Sequence, residues 1–222
     1  VGSEMCIRDR VRMKTAVTLD GRTAFPDGRS QWITGEAARA DVQFWRGRAG
    51  AVLTGIGTVL ADDPQMNVRL PDQERQPLRI VIDPRMETPP AGKLLTSKGG
   101  KVFIAAAAEY PTRRAALEAA GAEVWVLPDA AVPGRVDLRE LMRELAKREV
   151  NEVHVEAGPR LSGALFAAGL IDEMLFYYAP CLFGAGMGPA AVPLPAEPGA
   201  AYRWRLQSLD QIGGDFRVLL RR

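Results

Sequence analysis

Short apolar runs alternate with amphipathic ones from Val11 to the end of the chain. Residues 13–19 read as a strand closed by the turn Asp20-Gly21. Thr34 then predicts the N-cap of a helix running to about Arg48, with Ala38, Val42 and Trp45 on one face. Strand-length runs follow at 51–54, 78–83, 101–106, 123–127 and 153–156. Between them, residues 112–120 read as a helix stopped at Gly121. Residues 136–148 read as another, with Leu138, Leu141 and Leu145 on one stripe, and a third begins at Gly158-Pro159 and runs to Ala168. Residues 174–178, 202–209 and 216–220 complete the set, and the Pro/Gly-rich stretch 183–198 reads as a long loop. The strand–helix alternation predicts a parallel sheet covered by helices on both faces. The last two strands, with no helix between them, predict an antiparallel edge. Residues 1–10 show no periodicity and lack the apolar core of a signal peptide. They are expected to be a disordered leader or artefact, with residues 11–222 forming one domain.

Composition narrows the function without naming it. The 222 residues are 47% hydrophobic and 25% charged, the mix of a globular protein. With 29 Lys and Arg against 27 Asp and Glu, the chain has no basic excess for gripping nucleic-acid phosphates. No apolar run approaches the roughly 20 residues needed to cross a bilayer. Two cysteines, Cys6 and Cys181, and the single histidine His154 supply neither a disulfide framework nor a zinc constellation. No metal is therefore expected, and a reducing cytosol is. His154 falls inside a short strand, where a packed histidine is commoner than a catalytic base.

Three segments carry candidate chemistry. In Glu156-Ala157-Gly158-Pro159-Arg160-Leu161-Ser162-Gly163-Ala164 a strand ends, Gly158 permits close approach, and Pro159 takes the first helical position. The amides of Arg160, Leu161 and Ser162 would point out of the helix start, a ready site for a diphosphate. The plain alternative is an ordinary strand–helix turn. Glu156 stands at the carboxyl end of its strand, where ligands of open α/β sheets bind. The second segment, from Leu53 to Pro64, runs a strand into a glycine loop. Thr58 could donate to a phosphate there and Asp62 accept from a ribose hydroxyl, although Asp62 or Asp63 could instead only cap the turn before Pro64. The third opens the fold: Lys14 lies in an apolar strand, and Ser30 and Trp32 follow it. Arg46 and Arg69 are candidates for a substrate phosphate.

Together, Thr-Leu-Asp-Gly-Arg (18–22), Ser-Gln-Trp-Ile-Thr (30–34), Leu-Ala-Asp-Asp-Pro (60–64), Arg-Ile-Val-Ile-Asp (79–83) and Glu-Ala-Gly-Pro (156–159) resemble the reductase domain of the bifunctional riboflavin-biosynthesis deaminase-reductase. The resemblance runs in order through nearly the whole chain. It implies an α/β, dihydrofolate-reductase-like three-layer sandwich with a mixed, mostly parallel central sheet, flanking helices and an antiparallel C-terminal edge. It also implies a homodimer and NADPH-dependent reduction of 5-amino-6-(5-phosphoribosylamino)uracil to the ribitylamino product. Carried over motif by motif, the substrate would meet Ser30, Arg46, Met66, Arg69 and Glu156. The cofactor would meet Ala16, Trp32, Thr58, Asp62 and the run from Gly158 to Ala164. Lys14, Asp62 and Glu156 are the residues to test for proton delivery and sugar orientation. Two departures stand out. Pro84 replaces the hydroxyl residue that often meets the cofactor's 2′-phosphate, leaving Arg85 for that task, and Arg160 replaces a smaller polar residue. The zinc motifs of the deaminase half, His-x-Glu and Pro-Cys-x-x-Cys, are absent. This leaves a free-standing reductase or the carboxyl half of a longer protein. The rival readings are a related NADPH reductase acting on a pterin and a nucleotide-binding domain without turnover.

Overall fold

The computed structural model describes residues 10–71 and 73–222. The expected leader lies almost wholly outside them. Its last residue, Arg10, belongs to the fold, because it opens the first strand. The chain groups into two compact units, one of Gln43–His154 and one of Arg10–Val42 with Val155–Arg222.

In the first unit the strands β2 (Ala51–Gly55), β3 (Leu78–Ile82), β4 (Val102–Ala106) and β5 (Ala122–Val126) pair in parallel, neighbour to neighbour, and β6 (Glu152–Val155) flanks β2. β4 is a continuous apolar run and is buried at every position. α2 (Ile56–Asp62) follows β2 directly, where the sequence predicted only a glycine loop. Gly57 concealed it, being a poor helix former that here faces open space. The short α3 (Lys93–Thr96) also went unpredicted. α4 (Pro111–Ala119) ends as expected before Gly121, which has a φ of +90°. The cap of α5 (Leu138–Ala146) is Asp137, whose carboxylate accepts from the amides of Arg139 and Glu140, so this helix starts two residues later than its pattern implied. The core gathers Val52, Val59, Met66, Val81, Met86, Leu94, Ile104 and Leu117. His154 is fully buried in β6.

In the second unit β1 (Arg10–Thr18) pairs in parallel with β7 (Glu173–Ala179). β7 pairs antiparallel with β9 (Asp215–Arg221), and β9 with the edge strand β8 (Arg205–Ile212). The sheet is thus mixed, with the antiparallel edge where the consecutive late strands predicted it. β8 begins three residues later than expected, because a 3₁₀ turn at Pro198–Ala200 lengthens the preceding loop. α1 (Glu36–Arg48) corrects the predicted cap: its first bond runs from the Arg39 amide to the Gly35 carbonyl. Gly35, not Thr34, therefore caps the helix, and its own amide donates to Asp215 Oδ2 at 2.7 Å. α6 (Pro159–Ala167) lies between β6 and β7.

Candidate active site

The opening of α6 has the predicted shape. Gly158 is its N-cap, in extended backbone, and Pro159 its first residue. A side chain at Gly158 would meet nothing within 4 Å. One expectation is corrected. The Ser162 amide is not presented outward, since it donates to the Gly158 carbonyl at 3.1 Å. The serine hydroxyl turns inward to the Ala157 carbonyl at 3.2 Å. The amides of Arg160 and Leu161 remain to face a ligand, and they meet no acceptor among the described residues. Gly163 serves packing instead: a β-carbon there would stand 2.2 Å from the Ala191 carbonyl. The same loop donates the Ala191 amide to the Pro159 carbonyl at 2.9 Å, so the 183–198 loop straps onto the first turns of α6. Ala164 is half-buried one residue further on.

The sheet of this unit presents a polar row on one face. Residues directly opposite in a sheet share a face, and the register sets Ala16 against Tyr177, Tyr177 against Arg217, and Arg217 against Asp210. Tyr177 donates its hydroxyl to Asp41 Oδ2 of α1 at 2.5 Å. Arg217 Nη1 donates to both Asp41 oxygens at 3.0 Å, and Nη2 to Asp210 at 2.8 Å. Burial, followed by the Asp41 carboxylate, holds the Tyr177 hydroxyl far above the usual phenol range, and the Glu156 charge adds to the effect. The tyrosine is therefore a neutral donor at any physiological pH. Lys14 places its ammonium 5.9 Å from the Tyr177 ring centroid. Lys14, Ala16, Tyr177 and Glu156 thus come together, and neither Tyr177 nor Asp41 was singled out from the sequence. The signal available was an arginine at 217 inside an otherwise apolar strand. Trp32 is 71% exposed, with the Arg39 guanidinium 4.8 Å from its ring centroid. Ser30 is half-buried nearby in sequence.

The Thr18–Arg22 motif is structural. Asp20 accepts from Thr18 Oγ1 (2.6 Å) and from the amides of Phe183 (3.1 Å) and Gly184 (2.7 Å). Those bonds, the Thr18 hydroxyl first, pull its pKa below the ordinary carboxylate value and fasten the start of the strap loop.

In the first unit Arg46 and Arg69 do converge. Arg46 Nη1 donates to the Asn67 carbonyl and Arg69 Nη1 to the Asn67 side-chain oxygen, each at 3.1 Å. Met66 packs its side chain in the core, which leaves its main chain for a ligand. Thr58 is half-buried in the first turn of α2, and Asp62 ends that helix with an exposed side chain. Of the adjacent acids, Asp63 accepts from the amide of Lys93, the first residue of α3, at 2.8 Å. The Arg79–Asp83 motif is also structural. Buried Arg79 donates to the carbonyls of Leu94 (2.6 Å) and Gly100 (2.8 Å). Asp83 Oδ2 accepts from the Thr88 amide (2.7 Å) and hydroxyl (2.8 Å). Arg85 is paired with Glu87 at 3.0 Å. Among the described residues no cluster of His, Cys, Asp and Glu could hold a metal ion, and no helix is long and apolar enough to cross a membrane.

The mixed sheet with its antiparallel edge and the glycine–proline opening of α6 define the class: an α/β domain with a helix start left open to a ligand. Residues 9–218 match the RibD C-terminal domain family, and the chain belongs to it. The riboflavin biosynthesis protein RibD of Haemophilus influenzae is 37% identical over 94% of this chain and 57% of its own length. The structure of Acinetobacter baumannii RibD superposes with a TM-score of 0.84 at 36% identity, over 97% of this chain and 58% of that one. A Thermotoga maritima diaminohydroxyphosphoribosylaminopyrimidine deaminase/5-amino-6-(5-phosphoribosylamino)uracil reductase gives a TM-score of 0.78 at 26% identity, over 96% and 56%. The chain thus spans a little over half the length of these relatives.

Proposed function

We propose that this chain reduces 5-amino-6-(5-phosphoribosylamino)uracil to the ribitylamino product with NADPH. The observation that carries the reading is the opening of α6, where an unobstructed glycine and two outward amides stand at the positive end of a nine-residue helix. These residues fit a diphosphate. NADPH, when bound, supplies the hydride. The chain's part is to bind and orient. The Arg160 and Leu161 amides hold the diphosphate, while Ala16, the exposed Trp32 ring, Thr58 and Asp62 hold the rest of the cofactor. Ser30, the Met66 main chain, Arg46, Arg69 and Glu156 hold the substrate. Lys14, with Glu156 and Asp62, orients the opened sugar and supplies the proton. The activity in the Thermotoga protein's name supports the substrate. The test is loss of nicotinamide absorbance with the phosphoribosylaminouracil, comparing NADPH with NADH. Oxidation of NADPH in step with substrate, abolished in the Glu156→Gln, Asp62→Asn double variant, is expected. Binding of NADPH without oxidation would establish the nucleotide-binding reading instead, and inhibition by a pterin but not by ribose 5-phosphate would establish the pterin reductase. With Pro84 in place and Arg85 paired to Glu87, the NADPH/NADH ratio reports on the 2′-phosphate directly.

We further propose that the enzyme acts in the cytosol as a homodimer. One face of the β7–β9–β8 hairpin carries Phe176, Tyr178, Phe216, Val218, Leu220, Leu209 and Leu206 in register. Leu206 is 60% exposed, Leu209 61% and Phe216 41%. A contiguous apolar face on an edge strand marks an association surface. Light scattering is expected to give twice the chain mass for the native protein and the single-chain mass for Leu209→Glu. A native monomer would contradict the dimer.

A further inference from the structure

We propose that Tyr177 is a positioning residue for the reduction, acting on Lys14 through a ring whose hydroxyl is locked by Asp41. The inference rests on the reading that Lys14 and Ala16 belong to the reductase site. Tyr177 is fully buried and cannot touch a ligand, yet it is the cross-strand partner of Ala16 and the aromatic face beneath the Lys14 ammonium. Its orientation has little slack. The hydroxyl is bound at 2.5 Å to Asp41, and Arg217 grips both oxygens of that carboxylate while reaching Asp210 with its other nitrogen. A phenylalanine would fill the same volume without the desolvation cost of a buried phenol, arginine and carboxylate. What the polar groups add is direction. The cluster fixes where one face of β1 stands against α1, the helix whose Arg39 stacks on Trp32. A small displacement of a group near the reacting centre costs rate more than binding.

The test is a double-mutant cycle between Tyr177 and Lys14. Tyr177→Phe, which keeps the ring, is expected to melt cooperatively and lower kcat about tenfold, with the KM of both substrates within about twofold. Tyr177→Leu, which removes the ring, should lower kcat further. In a Lys14→Met background neither change should lower kcat more than about twofold again, because the group they position has gone. Equal losses in both backgrounds, or a KM effect at unchanged kcat, would overturn the inference while leaving Lys14 in the reaction. Full turnover by Lys14→Met alone would overturn the role of Lys14 itself and the inference with it. If Tyr177→Leu does not fold, the Tyr177→Phe arm of the cycle decides.

Discussion

Replacing Glu173 with alanine is expected to destabilise the protein by about 3–5 kcal/mol, the loss that follows when a buried ion pair is broken from one side. Glu173 opens β7 directly opposite Arg12 of β1 and Arg221 of β9. Arg12 is completely buried and donates Nε to Glu173 Oε2 at 2.9 Å. Arg221 and Arg10 approach the other oxygen at 2.6 and 3.3 Å. Alanine removes the carboxylate that holds the Arg12 guanidinium and leaves a completely buried charge without its counter-ion. The outer arginines matter less, since they are partly solvated. Glu173→Gln keeps the shape and one acceptor, so its loss should be clearly smaller. Pairing Glu173→Leu with Arg12→Met should recover much of the stability, as exchange of a whole buried ion pair for apolar groups often does. Urea unfolding of the four proteins checks the series. A loss below about 1 kcal/mol for Glu173→Ala would mean that the pair behaves as a surface bridge.

That site also shows where the sequence was hard to read. The continuous apolar run 102–106 was legible because a parallel strand buried on both faces favours apolar residues at every position. The opening of α6 was legible for a local reason: glycine, proline and a strand end sit within four residues. Arg12 and Glu173, by contrast, look like surface charges until the register pairs them across 161 positions. Tyr177 and Asp41 are similar. Each is unremarkable in its own segment, and only the fold brings them within hydrogen-bond distance. Local pattern likewise misjudged α2, whose Gly57 reads as a loop residue although the helix forms around it. Two motifs that carried the family resemblance, Thr18–Arg22 and Arg79–Asp83, fasten loops. Motif strength in a sequence does not separate residues that hold a ligand from residues that hold the backbone near it. Hydrogen-bond partners identify the second kind: Asp20 spends both oxygens, and Asp83 its Oδ2, on neighbouring amides and hydroxyls.

Neutralising Arg46 and Arg69 together is expected to have the largest effect on catalysis through the substrate term alone. Both guanidinium groups reach Asn67, one at the main-chain oxygen and one at the side chain, so two positive charges converge on a single short segment. A phosphate lying against that segment can accept a charge-assisted hydrogen bond from each guanidinium. A charge-assisted hydrogen bond to a phosphate contributes about 1.5–3 kcal/mol, or ~10–100-fold in affinity. Arg46→Gln and Arg69→Gln should each raise KM for the phosphoribosyl substrate by about that factor, with KM for NADPH unchanged. The double variant should exceed either single one. Arg46→Lys should rescue part of the loss, because lysine keeps the charge but not the planar fork. Raising ionic strength should weaken the native enzyme's substrate binding and leave the double variant nearly indifferent. The competing account is that Arg46 only braces the segment around Met66. That account predicts a lowered melting temperature with KM intact, so steady-state kinetics and a thermal melt on the same preparations decide between them.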